Sequence, residues 1–209
     1  MMNRRRFIGS AIAGGAGLAA GCTPGDSPDS IPEGTSVEVG PFEFDEITVR
    51  ELQEGMESGR LTARSIAELY LDRIEALDRA GPGLRSVIEI NPQAGEIADQ
   101  LDEERRAGNV RGRLHGVPVL IKDNMVQLGE RTGCASRILE NFVSPYDGAM
   151  AERFEAAGAV ILGRTNMDEF AMGSSTENSI YGPAHNPWDA ARAVARASRV
   201  LYIRIKFAC

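Results

Sequence analysis

Cysteine and histidine are scarce in this chain, and each scarcity removes a class of chemistry. Cys22, Cys134 and Cys209 are the three thiols in 209 residues. They are too few and too far apart for a disulfide framework, and none has metal-ligand spacing. His115 and His185 stand singly, so neither is assigned a metal and no metal site is expected. A net excess of basic charge is also lacking. The formal net charge is −7, and Arg4, Arg5 and Arg6 fall in a predicted export segment, so the remainder is more acidic still. Phosphate backbones are held by grouped Lys and Arg, and no nucleic-acid partner is expected. The apolar run near the N-terminus is too short to cross a hydrocarbon core of ~30 Å as a helix.

What is present reads as globular. Apolar residues make up 43% and charged residues 25%, enough for one domain with a sizeable core, or one domain plus a tail. Residues 1–22, "MMNRRRFIGSAIAGGAGLAAGC", run from a basic head through a mildly apolar stretch to small residues, the order of an export signal. "NRRRFIG" resembles the twin-arginine signature, with Arg4-Arg5 as the pair. "LAAGC" resembles a lipoprotein cleavage box with Cys22 as the lipidated residue, although Leu18 lies four residues ahead of the cysteine instead of three. A plain cleaved signal with Cys22 incidental is the alternative. Export to the cell envelope, with a lipid anchor in the membrane, is the expected location. Residues 23–45 are rich in Pro, Gly, Ser and acid and are predicted to be a flexible linker.

From residue 46 the pattern changes to helices alternating with short apolar strands. Thr48 and Glu51 have capping-box spacing. Ile66, Leu69, Tyr70, Ile74 and Leu77 recur at helical period behind Thr62, a second cap, and the "AGPG" at 80–83 ends that helix. "SVIEI" at 86–90 reads as a strand, and "QAGEIADQLDEERRAG" as a helix closed by Gly108. "GVPVLIKD" and "AVILGRTN" read as strands, separated by a helix with Asp147 as its cap. The alternation predicts an α/β sheet covered on both faces. No internal repeat is evident.

Lys122 ends one of those strands, directly before Asp123. A strand-end lysine commonly runs its stem along apolar surface to reach water, or pairs with a neighbouring carboxylate. A half-buried lysine has another use, because desolvation disfavours the ammonium and leaves an amine able to accept a proton. Periodicity does not choose between the two.

The motif "LHGVPVLIKDN" resembles the lysine-bearing motif of the amidase signature family. The stretch "ILENFVSPYDGAMAERFEAAGAVILGRTNMDEFAMGSSTENSIYGPAHNPWD", residues 138–189, is similar to that family almost throughout. There it looks most like the A subunit of glutamyl-tRNA amidotransferase, whereas residues 86–116 look more like exported peptide amidases. The resemblance covers about 46–189 and implies the N-terminal portion of an α/β fold, a mixed sheet flanked by helices, incomplete in this chain. It also implies cleavage or transfer at an amide bond by a Ser-Ser-Lys triad. A serine attacks the carbonyl, a second serine relays the proton, and neutral lysine is the final base. Backbone N–H groups of a Gly-rich loop hold the oxyanion. Lys122 matches the lysine; no cofactor is implied, and the implied substrate is a small amide or peptide amide. Ser174, Ser175 and Thr176 in "GSSTENS" are expected to wall the pocket or to serve as loop hydrogen-bonding groups, not to be triad serines. "TNMDEF" is expected to be scaffold.

The resemblance stops after "NPWD". The family continues into a Gly-Gly-Ser-Ser-Gly-Gly-Ser run, whereas this chain has no glycine after Gly182. Residues 190–209 carry Arg192, Arg196, Arg199, Arg204 and Lys206 with no acid, a shift that resembles out-of-frame translation; a genuine divergent C-terminal strand or helix, such as 200–207, is the alternative. Ser198 lies near the spacing of a triad serine, but its neighbours do not match and the role is not carried over. With only the lysine of the triad in the matched region, the chain alone is expected to be inactive and prone to aggregate. Two other functions stay open: the A subunit of a glutamyl-tRNA amidotransferase, and a non-catalytic cell-surface binding module.

Overall fold

The computed structural model describes residues 41–80 and 83–187. The predicted export signal with Cys22, most of the predicted linker, Ser198 and the basic tail lie outside the described residues. In chain order the elements are α1 (Val49–Glu57), α2 (Ala63–Ile74) running into a π-helical turn (Glu75–Arg79), β1 (Val87–Ile90), α3 (Ala94–Arg106), β2 (Pro118–Lys122), α4 (Ala149–Ala156) and β3 (Val160–Thr165). Short 3₁₀ turns lie at Arg137–Leu139 and Glu169–Ala171. No helix among the described residues is long and apolar enough to cross a membrane.

The first helices start where their side chains satisfy free backbone donors. Thr48 and Glu51 form both halves of a capping box on α1, and Thr62 and Ser65 do the same on α2. Asp102, from α3, also accepts the N–H groups of Ala63 and Arg64 at 2.7 and 3.0 Å. One carboxylate thus caps α2 and ties α3 to it. The expectation for α4 needs correcting. Its N-cap is Gly148, which has no side chain to offer, and the Asp147 carboxylate instead accepts the N–H of Leu128 at 2.7 Å. The capping position falls one residue later than Asp147, which leaves that carboxylate to close a loop.

The sheet is small and mixed, as the family resemblance implies. Its order is β1-β3-β2, with β1 antiparallel and β2 parallel to the central β3. All six residues of β3 are buried, which explains its unbroken apolar run. Val160 and Leu162 join Val87 and Val117 in the main core, with Leu52 and Met56 of α1, Ile66, Tyr70 and Ile74 of α2, and Ala98 and Leu101 of α3. Alternation puts Ile161 on the other face, where it is equally buried, and α4 also packs on β3. Packing begins ahead of residue 46. Phe44 is buried, and Phe42 lies 5.2 Å from the Tyr70 ring, centroid to centroid, so the packed region reaches into the segment predicted as linker.

The β2–β3 ladder shifts register beside Gly163, and the β1–β3 ladder shifts opposite Arg164 and Thr165. A Cβ at position 163 would overlap the Glu89 carbonyl and stand 3.0 Å from the Ile90 Cα. Only glycine lets β1 approach β3 that closely. Gly163→Ala is therefore expected to destabilise the fold by about 1–3 kcal/mol or more. Faster thermolysin cleavage of the folded chain at a fixed temperature would show it; cleavage at the wild-type rate would contradict it.

Candidate functional site

Lys122 is the last residue of β2 and stands in register with Thr165, the last residue of β3. Two parallel strands thus end side by side, the arrangement in which the space beyond the carboxyl ends is available for a ligand. Lys122 is half-buried. Its neighbour Asp123 does not pair with it. Asp123 is 2% exposed, and its carboxylate accepts the N–H of Gly133 at 3.3 Å and of Ala135 at 2.9 Å. Its own backbone N–H donates to the Thr165 carbonyl at 3.3 Å, and its carbonyl accepts the N–H of Cys134 at 3.2 Å. Burial pushes the Asp123 carboxyl above the usual carboxylate range, against the pull of those N–H groups and of Arg164 and Arg131.

The loops that gather at this end are irregular in a specific way. Among the described residues seven non-glycines have positive φ, and five of them are Cys134, Ala135, Phe170, Ala171 and Thr176. Each such residue costs about 1–2 kcal/mol, so the surroundings must hold it. Cys134 and Ala135 accept, at their carbonyls, the N–H groups of Phe170 and Ile180 at 3.0 and 3.1 Å. The turn after Thr132 therefore links the end of β2 to the 169–180 segment. Ser136 adds a second tie, its hydroxyl donating to the Glu169 carboxylate at 2.6 Å.

Asn166, the residue after β3, is the scaffold hub within "TNMDEF". Its amide donates to the carbonyls of Arg85 and Gly182 at 2.9 and 3.0 Å, and its oxygen accepts from Met167 N–H and the Ser179 hydroxyl at 2.8 and 2.6 Å. All four hydrogen-bonding positions of a buried amide are filled. On β3, the buried Arg164 guanidinium donates to the Met125 carbonyl at 2.7 Å, pinning the chain just past Lys122.

Of the three predicted wall residues, Thr176 is buried, Ser175 half-buried and Ser174 exposed. The Thr176 hydroxyl donates to the Ser175 carbonyl at 2.5 Å and accepts the Ala184 N–H at 2.6 Å. The Ser175 hydroxyl donates to Glu177 at 2.8 Å. Both hydroxyls are engaged within the loop itself. Cys134, half-buried, has its thiol pushed up by burial and by Asp123 and drawn down by Arg164 and Lys122. Among the described residues no group of three or more His, Cys, Asp or Glu is placed to hold a metal ion.

The sequence model of the amidase family matches residues 65–197. The chain belongs to the amidase signature family. It is 44% identical over 144 residues to the A subunit of the glutamyl-tRNA(Gln) amidotransferase of Synechococcus sp. WH7803, covering 68% of this chain and 29% of that protein. It is 46% identical to the corresponding protein from Methylococcus capsulatus, again covering 29% of that protein. Among solved structures it resembles the peptide amidase of Stenotrophomonas maltophilia, with TM-score 0.67 and 41% identity over 72% of this chain and 32% of that one. It also resembles a bacterial aryl acylamidase of the amidase signature family, with TM-score 0.64 and 26% identity over 72% and 31%. The chain spans about three tenths of the length of the curated relatives it matches.

One signal for Lys122 lies in the composition. Lys122 and Lys206 are the only lysines among 23 basic residues. Arginine cannot surrender its proton in a protein whereas lysine can, so the rarity of lysine in an arginine-rich chain draws attention to position 122. The Asn166 hub and the left-handed turn at Cys134 and Ala135 carry no comparable signal. Asn166→Ala would strand two carbonyls, one N–H and one hydroxyl, at about 1–3 kcal/mol for each buried group left unpaired. Limited proteolysis should then cut first between 176 and 187; protection equal to wild type there would contradict the hub.

Proposed function

We propose that this chain supplies the base and part of the pocket wall of an amide-bond hydrolase, with Lys122 accepting the proton that a serine relay takes from a nucleophilic serine. The observation that carries the reading is the place of Lys122, half-buried at the paired ends of two parallel strands with Asp123 turned to the 133–135 backbone. An amine there can cycle between ammonium and free base, taking a proton as the acyl-enzyme forms and returning it to the leaving amine. The resemblance assigns both triad serines and the oxyanion-binding loop to positions beyond Asp189. The substrate is a small amide or peptide amide, and no metal or organic cofactor takes part in this reading.

A second reading, the A subunit of a glutamyl-tRNA amidotransferase, has the 44–46% identities in its favour. The "NRRRFIG" segment favours export instead, with Cys22 as a lipid attachment site in the cell envelope. Cys22→Ser should then abolish labelling by radioactive palmitate and release the protein from the membrane fraction. A cytosolic wild-type protein would support the amidotransferase reading.

The test of Lys122 joins residues 46–187 to the C-terminal two thirds of the Stenotrophomonas peptide amidase and follows hydrolysis of a peptide amide. Lys122→Ala is expected to lower kcat/KM by about 10²–10⁴-fold. Lys122→Arg should not rescue it, because a guanidinium keeps its charge but gives up no proton. Activity in Lys122→Arg near that of the parent would overturn the role of base.

A further inference from the structure

We propose that Asp123 is a positioning residue for Lys122. Its carboxylate and carbonyl together hold the Gly133–Ala135 turn, and through that turn the 169–180 segment, in fixed register with the end of β2. The proposal rests on the reading of Lys122 as the base and deepens it.

Three consecutive N–H groups end on this one residue. Gly133 and Ala135 donate to its carboxylate, and Cys134 between them donates to its carbonyl. Successive N–H groups around a turn form a concave anion site, and here the anion is a side chain of the same fold. Cys134 and Ala135, with φ of 51°, would relax toward ordinary backbone without such a hold. On the far side of the turn the carbonyls of Cys134 and Ala135 carry Phe170 and Ile180. The turn is therefore a coupler with one face on Asp123 and the other on the segment that leads through Ser174–Thr176. The same clamp holds the carboxylate of the residue next to Lys122 on backbone donors and out of an ion pair with it.

Cys134, at the centre of the turn, reports on its position. The charged groups acting on its thiol are Lys122 and Asp123 at the end of β2 and Arg164 on β3. In the full chain carrying Cys22→Ser and Cys209→Ser, Cys134 is the sole thiol, and its alkylation by iodoacetamide can be followed against pH. With Asp123 in place, Lys122→Met should move the alkylation profile to higher pH, because a cation near the thiolate is lost. In Asp123→Ala the turn should swing away, Cys134 should react roughly tenfold faster, and Lys122→Met should no longer shift the profile. A purely structural Asp123 would lower stability yet leave the shift intact wherever the chain remains folded. The same shift with and without Asp123 overturns the proposal. Should Asp123→Ala fail to fold, Asp123→Asn retains the shape and one acceptor and is expected to show a reduced shift; a full shift there overturns it equally. No turnover is involved. A failed coupling therefore removes the role of Asp123 alone, whereas an active Lys122→Arg chimera removes the role of base and leaves the coupling standing.

Discussion

Three backbone N–H groups meeting on Asp123 join the irregular half of this molecule to its sheet. The 133–135 turn reaches the sheet through that junction, and the 169–180 segment is bonded in turn to Cys134 and Ala135. The turn at 133–135 is held to Asp123, the 169–180 segment is held to the turn, and Asn166 closes the circle by bonding the 84–86 and 179–182 loops to the end of β3. The sheet beneath makes this possible because β2 and β3 run parallel and end together, while glycine at 163 lets β1 close on the other side of β3.

Charge at the site is arranged by what each group can release. Arg164 and Lys122 both lie at this end of the sheet, yet their tasks differ. The buried guanidinium forks onto a carbonyl and a side-chain amide and fixes the loop past β2. It suits that work because it is planar and permanently charged. Lysine, unlike arginine, is the side-chain type that can give up its proton, and the carboxylate of the adjacent Asp123 is occupied by backbone donors. A buried carboxylate satisfied by N–H groups is tolerated where an unpaired one would cost several kcal/mol. The structure thereby holds a carboxylate and an amine on adjacent residues without joining them.

The sequence was most legible where one residue type serves one geometric purpose. Thr48 and Thr62 cap helices at the places their spacing indicates, and the unbroken run from Val160 is the central buried strand. Lys122 could be placed at a strand end from "GVPVLIKD" alone, but its chemical role came from family resemblance. Periodicity failed where a side chain had two partners within reach. Asp147 precedes a helix and looks like its cap, yet bonds a loop N–H 19 residues back. Phe42 and Phe44 sit in a Pro/Gly/acid-rich segment and still reach Tyr70. The left-handed turn was illegible for a deeper reason: Cys134 and Ala135 have no preference for positive φ, and only tertiary hydrogen bonds impose it.

The central claim is that this region carries the base and its supports but not the nucleophile. Intact-mass analysis of the purified chain after exposure to an activated ester tests it directly. The account expects no acyl group on any serine or threonine between residues 46 and 187, since the Ser175 and Thr176 hydroxyls are engaged in their own loop. A stoichiometric acyl adduct on Ser174, Ser175 or Thr176 would contradict it and place the nucleophile in the "GSSTENS" segment.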